Sequence, residues 1–396
     1  MHKNQIIDLI RSYYPDIKWL KKYLAKLRIR YTTRMLLSDE QIELAEKDCS
    51  MKACLVDQCK KKWPEIYGQT EKKCNEVINR APEYTDRGDK AALYVDMLFC
   101  RFSYGFQPDE YLCYGIEKKT VGERRAIISD TDRYCYVYKM NDISEIQVFN
   151  NKGKTYRQFK KYYGREALYI KNMRDYKGFC IFIKSHPTFV MKDAYGGMGK
   201  NVALINREEC HASDKKLFWD MILQGPHLIE ERVVQNEVME VLNPSSVNTV
   251  RCITLNTKDG MMIPYCFLKV GRKGSFVDNG GAGGILVGID RKTGKLNTDG
   301  YDELNVRYGV HPDSGLLFKG YQLPDWEQAI KMCIEMAEQI PRVKYIGWDL
   351  AYTDSGWIVI EGNGMSQMIG PQILFRIPGG IKTEMEAYMR NMELVL

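Results

Sequence analysis

The stretch whose reading decides the fold is KYIGWDLAYTDSGWIVIEGN, residues 344–363. Two apolar, β-rich runs flank the turn residues Thr353 to Gly356, so the segment reads as an antiparallel hairpin. Pairing across that turn sets Asp349 beside Glu361 and Asn363, and the latter two share a face because they are two apart. Three oxygen-bearing side chains converging among Ile346, Trp348, Ile358 and Ile360 would be unfavourable without a cation. Hard oxygen donors of this kind suit Mg2+, commonly held by one or two carboxylates together with substrate phosphates. Polar residues at solvent-facing strand ends would give the same pattern, so the hairpin alone leaves both readings open.

Three upstream segments add to it. TFVMKDAYGGMGKNVALI (188–205) reads as a strand ending in Lys192, a glycine-rich turn and a second strand. It is not a Walker A loop, because Asn201 follows Lys200 where Ser or Thr is required. Its glycines would let backbone N–H groups approach phosphates, with Lys192 as a nearby charge; a plain hairpin would also fit. HLIEERVVQNE (227–237) reads as an apolar strand over 227–234 carrying Glu230 and Glu231, with Glu237 following. Backbone leaving the sheet there would suit an adenine edge, and a carboxylate would suit ribose hydroxyls; a surface strand with its charges outward would also fit. NPSSVNTVRCIT (243–254) places Arg251 inside a β-branched strand, where a charge needs a partner: a phosphate, or a structural ion pair.

Taken in order and spacing, these four segments resemble the ATP-grasp superfamily. NPSSVNTVRCIT, VDNGGAGGILVGID-RKTG and the final hairpin look most like its sugar-transfer-associated branch, over residues 140–385. The resemblance implies an α+β fold of two subdomains that clasp ATP, with Mg2+ as cofactor. It places a lysine and glycine-loop subdomain at 140–225 and a hinge and metal-binding subdomain at 226–385. By that resemblance Lys152, with Lys154 as the competing choice, is the first phosphate lysine and Lys192 the second. Gly196, Gly197, Met198 and Gly199 form the loop that closes on phosphate. Glu230, Glu231, Arg232 and Val233 match the hinge beside adenine, and Glu237 the ribose-binding glutamate. Asp349, Glu361 and Asn363 match the metal ligands, and Arg251 the arginine facing the transferred phosphate. The DNGGAGGI run (278–285) is particular to the branch and generic ligases supply no role for it; Asn279 and its glycines would suit an oxyanion nest or an acceptor loop.

The activity implied is a carboxylate–amine ligase working through an acyl phosphate, in polysaccharide or cell-surface glycan assembly. Its partners would be ATP, a carboxylate such as a sugar acid, and an amine. A phosphotransferase and a non-catalytic nucleotide-binding member of a glycan-assembly complex are the competing readings.

Composition sets wider bounds. The 396 residues suffice for two or three domains, and a net charge of +7 permits anionic partners without demanding nucleic acid, which is not expected here. Residues 1–120 read as mostly helical and 121–396 as the ATP-grasp part. Within AIISD and RYCYVYKM (126–130 and 133–140) the composition suggests short strands. Residues 325–340 carry an amphipathic helix pattern. Residues 18–34 hold seven Lys or Arg and no acid, interleaved with Trp, Tyr and Leu. That suits a solvated helix face, or a patch for the inner surface of a membrane, an anionic polymer or glycan-assembly machinery. Twelve cysteines without CxxC spacing, and a start lacking a signal-peptide core, suggest free thiols and a cytoplasmic location, peripheral to the membrane if that patch binds it.

Overall fold

Two antiparallel sheets carry the strands that the sequence predicts. The computed structural model describes residues 18–196, 202–209, 212–272, 274–275, 283–375, 377 and 380–394. The smaller sheet is built from β1 (Ala167–Ile170), β2 (Thr188–Asp193), β3 (Val202–Asn206) and β4 (His227–Glu231), in the order β1-β4-β2-β3. The larger contains β5 (Thr249–Thr257), β6 (Gly260–Val270), β7 (Ile285–Ile289), β8 (Leu296–Tyr301), β9 (Arg307–Tyr308), β10 (Tyr345–Thr353) and β11 (Gly356–Asn363). Its order is β11-β10-β5-β6-β7-β8-β9. The chain forms two compact units, one of Met1–Ser144, Tyr301–Arg307 and Gln367–Leu396, the other of Glu145–Gly300 and Tyr308–Ser366.

In the second unit, helices Tyr176–Ser185 and Asp214–Gln224 cover the smaller sheet. Phe179, Phe182, Phe218 and Met221 from the helices pack with Ile170, Phe189 and Ile229 from the strands. Each such side chain contributes about 1.5–3 kcal/mol on burial. The larger sheet is anchored by Trp348, which is fully buried and lies 5.6 Å and 5.0 Å, centroid to centroid, from Phe149 and Phe159. Its indole Nε1 donates to Thr254 Oγ1 at 3.1 Å. The expected amphipathic helix is present as Trp326–Glu338, burying Ala329, Cys333, Met336 and Ala337. The hairpin about Lys258 and Asp259 closes with Thr257 opposite Gly260.

The regular elements described in the first unit are helices, apart from Tyr301 at the end of β8 and Arg307 at the start of β9. Two sequence expectations fail there: AIISD forms no strand, since residues 126–129 link the helix Val121–Arg125 to the helix that starts at Asp130. RYCYVYKM is no strand; it lies in the helix Asp130–Met140. Ser129 starts that helix with a reciprocal capping box to Asp132. Thr131, Arg133, Tyr136, Val137 and Met140 are its buried positions, and the three-to-four spacing of the last four outweighs aromatic and β-branched content. A buried charge network holds neighbouring helices together. Arg124 donates to Glu46 at 3.2 Å and to Asp96 at 3.1 Å, and Lys52 reaches Asp96 at 3.0 Å.

Candidate functional site

The larger sheet presents a row of charged side chains on one face. Asp349 on β10 is directly opposite both Glu361 on β11 and Arg251 on β5, and Asn363 is opposite Gly347. Side chains directly opposite one another in antiparallel strands point the same way. The glycines of Glu361-Gly362-Asn363-Gly364 keep the other face close-packed. A Cβ on Gly362 would sit 2.6 Å from Phe149, and one on Gly364 2.5 Å from Ile146. The pairing slips just after Asp349, so that Leu350 faces Val359 and Ile360 bulges from the ladder.

Asp349 is buried and fully engaged. Arg251 grips it bidentately through Nε and Nη2, the latter at 2.6 Å, and Lys269 Nζ donates to Oδ2 at 3.1 Å. Burial alone would raise the Asp349 pKa; the charges of Arg251 and Lys269 outweigh it and hold the carboxyl below its ordinary range. Gly347 makes room for this pairing, since a Cβ there would lie 3.1 Å from Arg251 Cδ and 2.3 Å from Ser366 Oγ. Arg251 thus meets the expected metal ligand, the ion-pair partner that its strand position allowed. Lys269 was not anticipated from the sequence. The available signal was a lysine inside the apolar strand YCFLKV, the same anomaly that singled out Arg251. Glu361 and Asn363 are half-buried, and no described residue forms a hydrogen bond with either side chain.

The smaller sheet supplies a second charged group. Glu230 is buried and accepts from Lys192 Nζ at 2.7 Å and from Arg165 Nη2 at 3.0 Å. Burial raises its pKa, but Arg165 and Lys192 prevail and keep it ionised. Arg165, also missed in the sequence, donates through Nη1 to the carbonyls of Tyr163 at 2.9 Å and of Val359, on β11, at 2.7 Å. Lys152 opens the helix Lys152–Phe159, and its ammonium donates to the carbonyl of Gly196. Burial lowers its pKa, and it lies close enough to Glu361, Lys192, Asp193 and Glu230 to feel each charge. Gly153 is dictated by packing: a Cβ there would fall 2.2 Å from the Tyr169 ring. Of the two candidate lysines, Lys152 is the one among these charges.

A cavity of about 230 Å³ opens beside this group. Its apolar walls include Val190, Val233, Val247 and Ile360, and Lys192 and Glu230 sit on its lining. The strand expected over 227–234 ends at Glu231, so Arg232, Val233 and Val234 leave the sheet and border the cavity. Glu231 turns elsewhere and accepts from the backbone N–H of Glu166 at 3.1 Å. The lining includes Glu240, whereas Glu237 is exposed at the start of the short helix Glu237–Glu240 and is not part of the wall. Gln235 donates to the carbonyls of Asn243 and Ser246 and accepts from the buried Asn248, which ties down the loop around the cavity. Gly197, Met198 and Gly199, and residues 278–282 of the second glycine run, lie outside the described residues.

The donor set fits magnesium in company with phosphate better than magnesium alone. Asp349 and Glu361 bring two negative charges, and Arg251 and Lys269 already supply two positive ones. A bare dication would therefore meet a neutral group, whereas a metal–triphosphate complex brings its own negative charge. Among the described residues, no group of three His, Cys, Asp or Glu is arranged to hold a metal ion. The candidate set is two carboxylates and an amide, which leaves positions for phosphate oxygens and water.

The model of the sugar-transfer-associated ATP-grasp family matches residues 132–377, well over half of the chain. The chain belongs to that family. Among solved structures, it resembles N5-carboxyaminoimidazole synthetase from Staphylococcus aureus in complex with ADP, at 12% identity over 63% of this chain and 56% of that one, TM-score 0.39. It also resembles the D-alanine–D-alanine ligase of Coxiella burnetii, at 8% identity over 63% and 58%, TM-score 0.39. The ATP-grasp ligase PsnB, solved with a minimal precursor, gives 10% identity, 64% coverage of each chain and TM-score 0.39. The chain thus spans less than two thirds of each of these proteins. No curated protein matches it.

Proposed function

We propose that this protein binds ATP with magnesium and acts as a carboxylate–amine ligase, through an acyl phosphate, in the assembly of a polysaccharide or cell-surface glycan. The observation that carries the reading is the placement of Lys152, Lys192 and Glu361 near one another, beside a small apolar cavity. In this reading the adenine enters the cavity against Val190, Val233 and Ile360, and Glu240, more than Glu237, takes the ribose hydroxyls. Lys152 and Lys192 neutralise the triphosphate and hold it in line, so that catalysis is mainly positioning and charge stabilisation. Asp349, Glu361 and Asn363 would hold magnesium, which supplies Lewis-acid stabilisation of the phosphates when bound. Arg251 stays on Asp349 through Nε and Nη2, and its Nη1, which donates to Ser366 Oγ at 3.3 Å, is the group proposed to meet the transferred phosphoryl group as well. A carboxylate oxygen attacks the γ-phosphorus, the bond to the β–γ bridging oxygen breaks and ADP leaves, giving the acyl phosphate; the amine nitrogen then attacks the acyl carbon, expels inorganic phosphate and loses a proton to give the amide. The loop Gly196–Gly199 would close over the phosphates.

The family to which the chain belongs supports the glycan setting, and a sugar acid with an amino acid or amino sugar is the proposed substrate pair. The nucleotide machinery is proposed to occupy 121–396, with the helical 1–120 as a separate part. The test is to incubate the full chain with ATP, magnesium, pooled sugar acids and pooled amines, and to identify products by mass. Phosphate release that needs both pools, with an amide as product, is expected. A stable phosphorylated product formed without amine would replace the ligase by a phosphotransferase.

A further inference from the structure

The first unit contains a larger cavity, of about 730 Å³, that the nucleotide reading does not use. Every residue on its lining belongs to that unit, among them Tyr114, Lys118, Lys119, Asn305, Gln372 and Ile381. Its size lies in the range of about 300–1,000 Å³ typical of small-molecule sites. Ile127, Ile373, Ile377 and Ile381 give it an apolar lining.

Its polar groups have one chemical bias. Tyr114 lines the cavity and is 8% exposed. Its hydroxyl accepts from Gln372 Nε2 at 2.8 Å, and Gln372 is in turn locked by the backbone of Ile128, through Ile128 N–H to Oε1 at 2.7 Å and Nε2 to the Ile128 carbonyl at 3.0 Å. The phenol proton has no acceptor among the described residues. Burial pushes the Tyr114 pKa well up, so that proton stays available for donation. Lys118 and Lys119 also line the cavity, and neither ammonium meets a carboxylate among the described residues. The one acid on the lining, Glu123, is occupied by Thr120, whose N–H and hydroxyl both donate to Oε2 at 2.8 Å. Lys119 also helps to lower the pKa of that carboxylate, but the two ammonium groups outnumber it, and with the buried donor above an apolar floor they select an anionic head on an apolar body.

We infer that this cavity binds a small amphiphilic anion, a phosphate or carboxylate attached to a sugar or an alkyl chain, with the anion between Tyr114, Lys118 and Lys119 and the carbon skeleton against the isoleucines. The site is independent of the nucleotide site, and its failure would leave the ligase reading intact. Calorimetric titration of the full chain with octyl phosphate, glucuronic acid 1-phosphate, inorganic phosphate and neutral octyl glucoside tests it. One of the two organic anions is expected to bind at least roughly tenfold more tightly than inorganic phosphate and octyl glucoside, and which one identifies the body. Substituting both rim lysines (Lys118→Glu with Lys119→Glu) should weaken it by at least about tenfold. The melting temperature and ATP binding should not change. Tyr114→Phe should weaken it by roughly threefold to tenfold through loss of the buried donor. Absence of saturable binding by either organic anion, equal binding of inorganic phosphate, or unchanged affinity in the lysine double variant would each overturn the inference.

Discussion

Asp349 and Glu361 face each other across two strands, yet their environments are opposite. Asp349 balances two cations, the half-buried Arg251 and the buried Lys269, while Glu361 has no hydrogen-bonding partner among the described residues. Asp349→Asn would leave those cations uncompensated, at about 3–5 kcal/mol. Its expected outcome is a lower melting temperature together with lost turnover. Glu361→Gln should abolish turnover with the melting temperature unchanged, so it is the cleaner test of the metal proposal. Thermal melts beside phosphate-release assays separate the two. A second residue gives a pH signature. Glu110 is buried, and burial and then Asp130 push its pKa from 4.5 up to about 8, against backbone N–H groups of Gln107 and Asp130 that favour the ionised form. The folded state then holds a proton that the unfolded state has released, so this group's contribution to stability falls as pH rises from 4.5 towards 8. Glu110→Gln should flatten that slope in denaturant melts; an identical slope would exclude Glu110 as its source.

At the scale of elements, glycines decide the geometry. Gly153→Ala would drive a Cβ into the Tyr169 ring and displace the helix that begins with Lys152. Overpacking of this kind costs about 1–3 kcal/mol, and a weakened affinity for ATP is expected alongside lower stability, measured by titration and by melting. In the loop after β4, Glu240→Gln should raise the KM for ATP more than Glu237→Gln does, since Glu240 lies on the cavity wall; the reverse order would return the ribose contact to Glu237. The hairpin 344–363 was legible because alternation and turn chemistry are local properties. The partners of Arg251 and Glu230 were not. Lys269 lies 18 residues beyond Arg251, and Arg165 lies 65 before Glu230, so their meeting depends on sheet order. The helix Asp130–Met140 was misread because aromatic content was weighed above the Ser129 capping box.

Across the whole molecule, the basic N-terminal segment remains the feature least tied to nucleotide chemistry. In the helix Lys18–Thr33, Trp19 is 69% and Tyr23 55% exposed, and Lys22, Lys26 and Arg30 are exposed with them. Arg28 is instead turned inward onto the Tyr134 ring, 4.0 Å from its centroid. No described helix is long and apolar enough to cross a membrane. Contact with an anionic membrane surface is proposed for this face. Sedimentation with phosphatidylglycerol vesicles, none with phosphatidylcholine, and release by salt are expected; equal binding to both would contradict it. The central claim concerns the nucleotide, and calorimetric titration of ATP into the full chain, with and without magnesium, tests it most directly. Saturable binding that tightens with magnesium, and loses that dependence in Glu361→Gln, is predicted. Binding that ignores magnesium, or no binding of ATP at all, would contradict it.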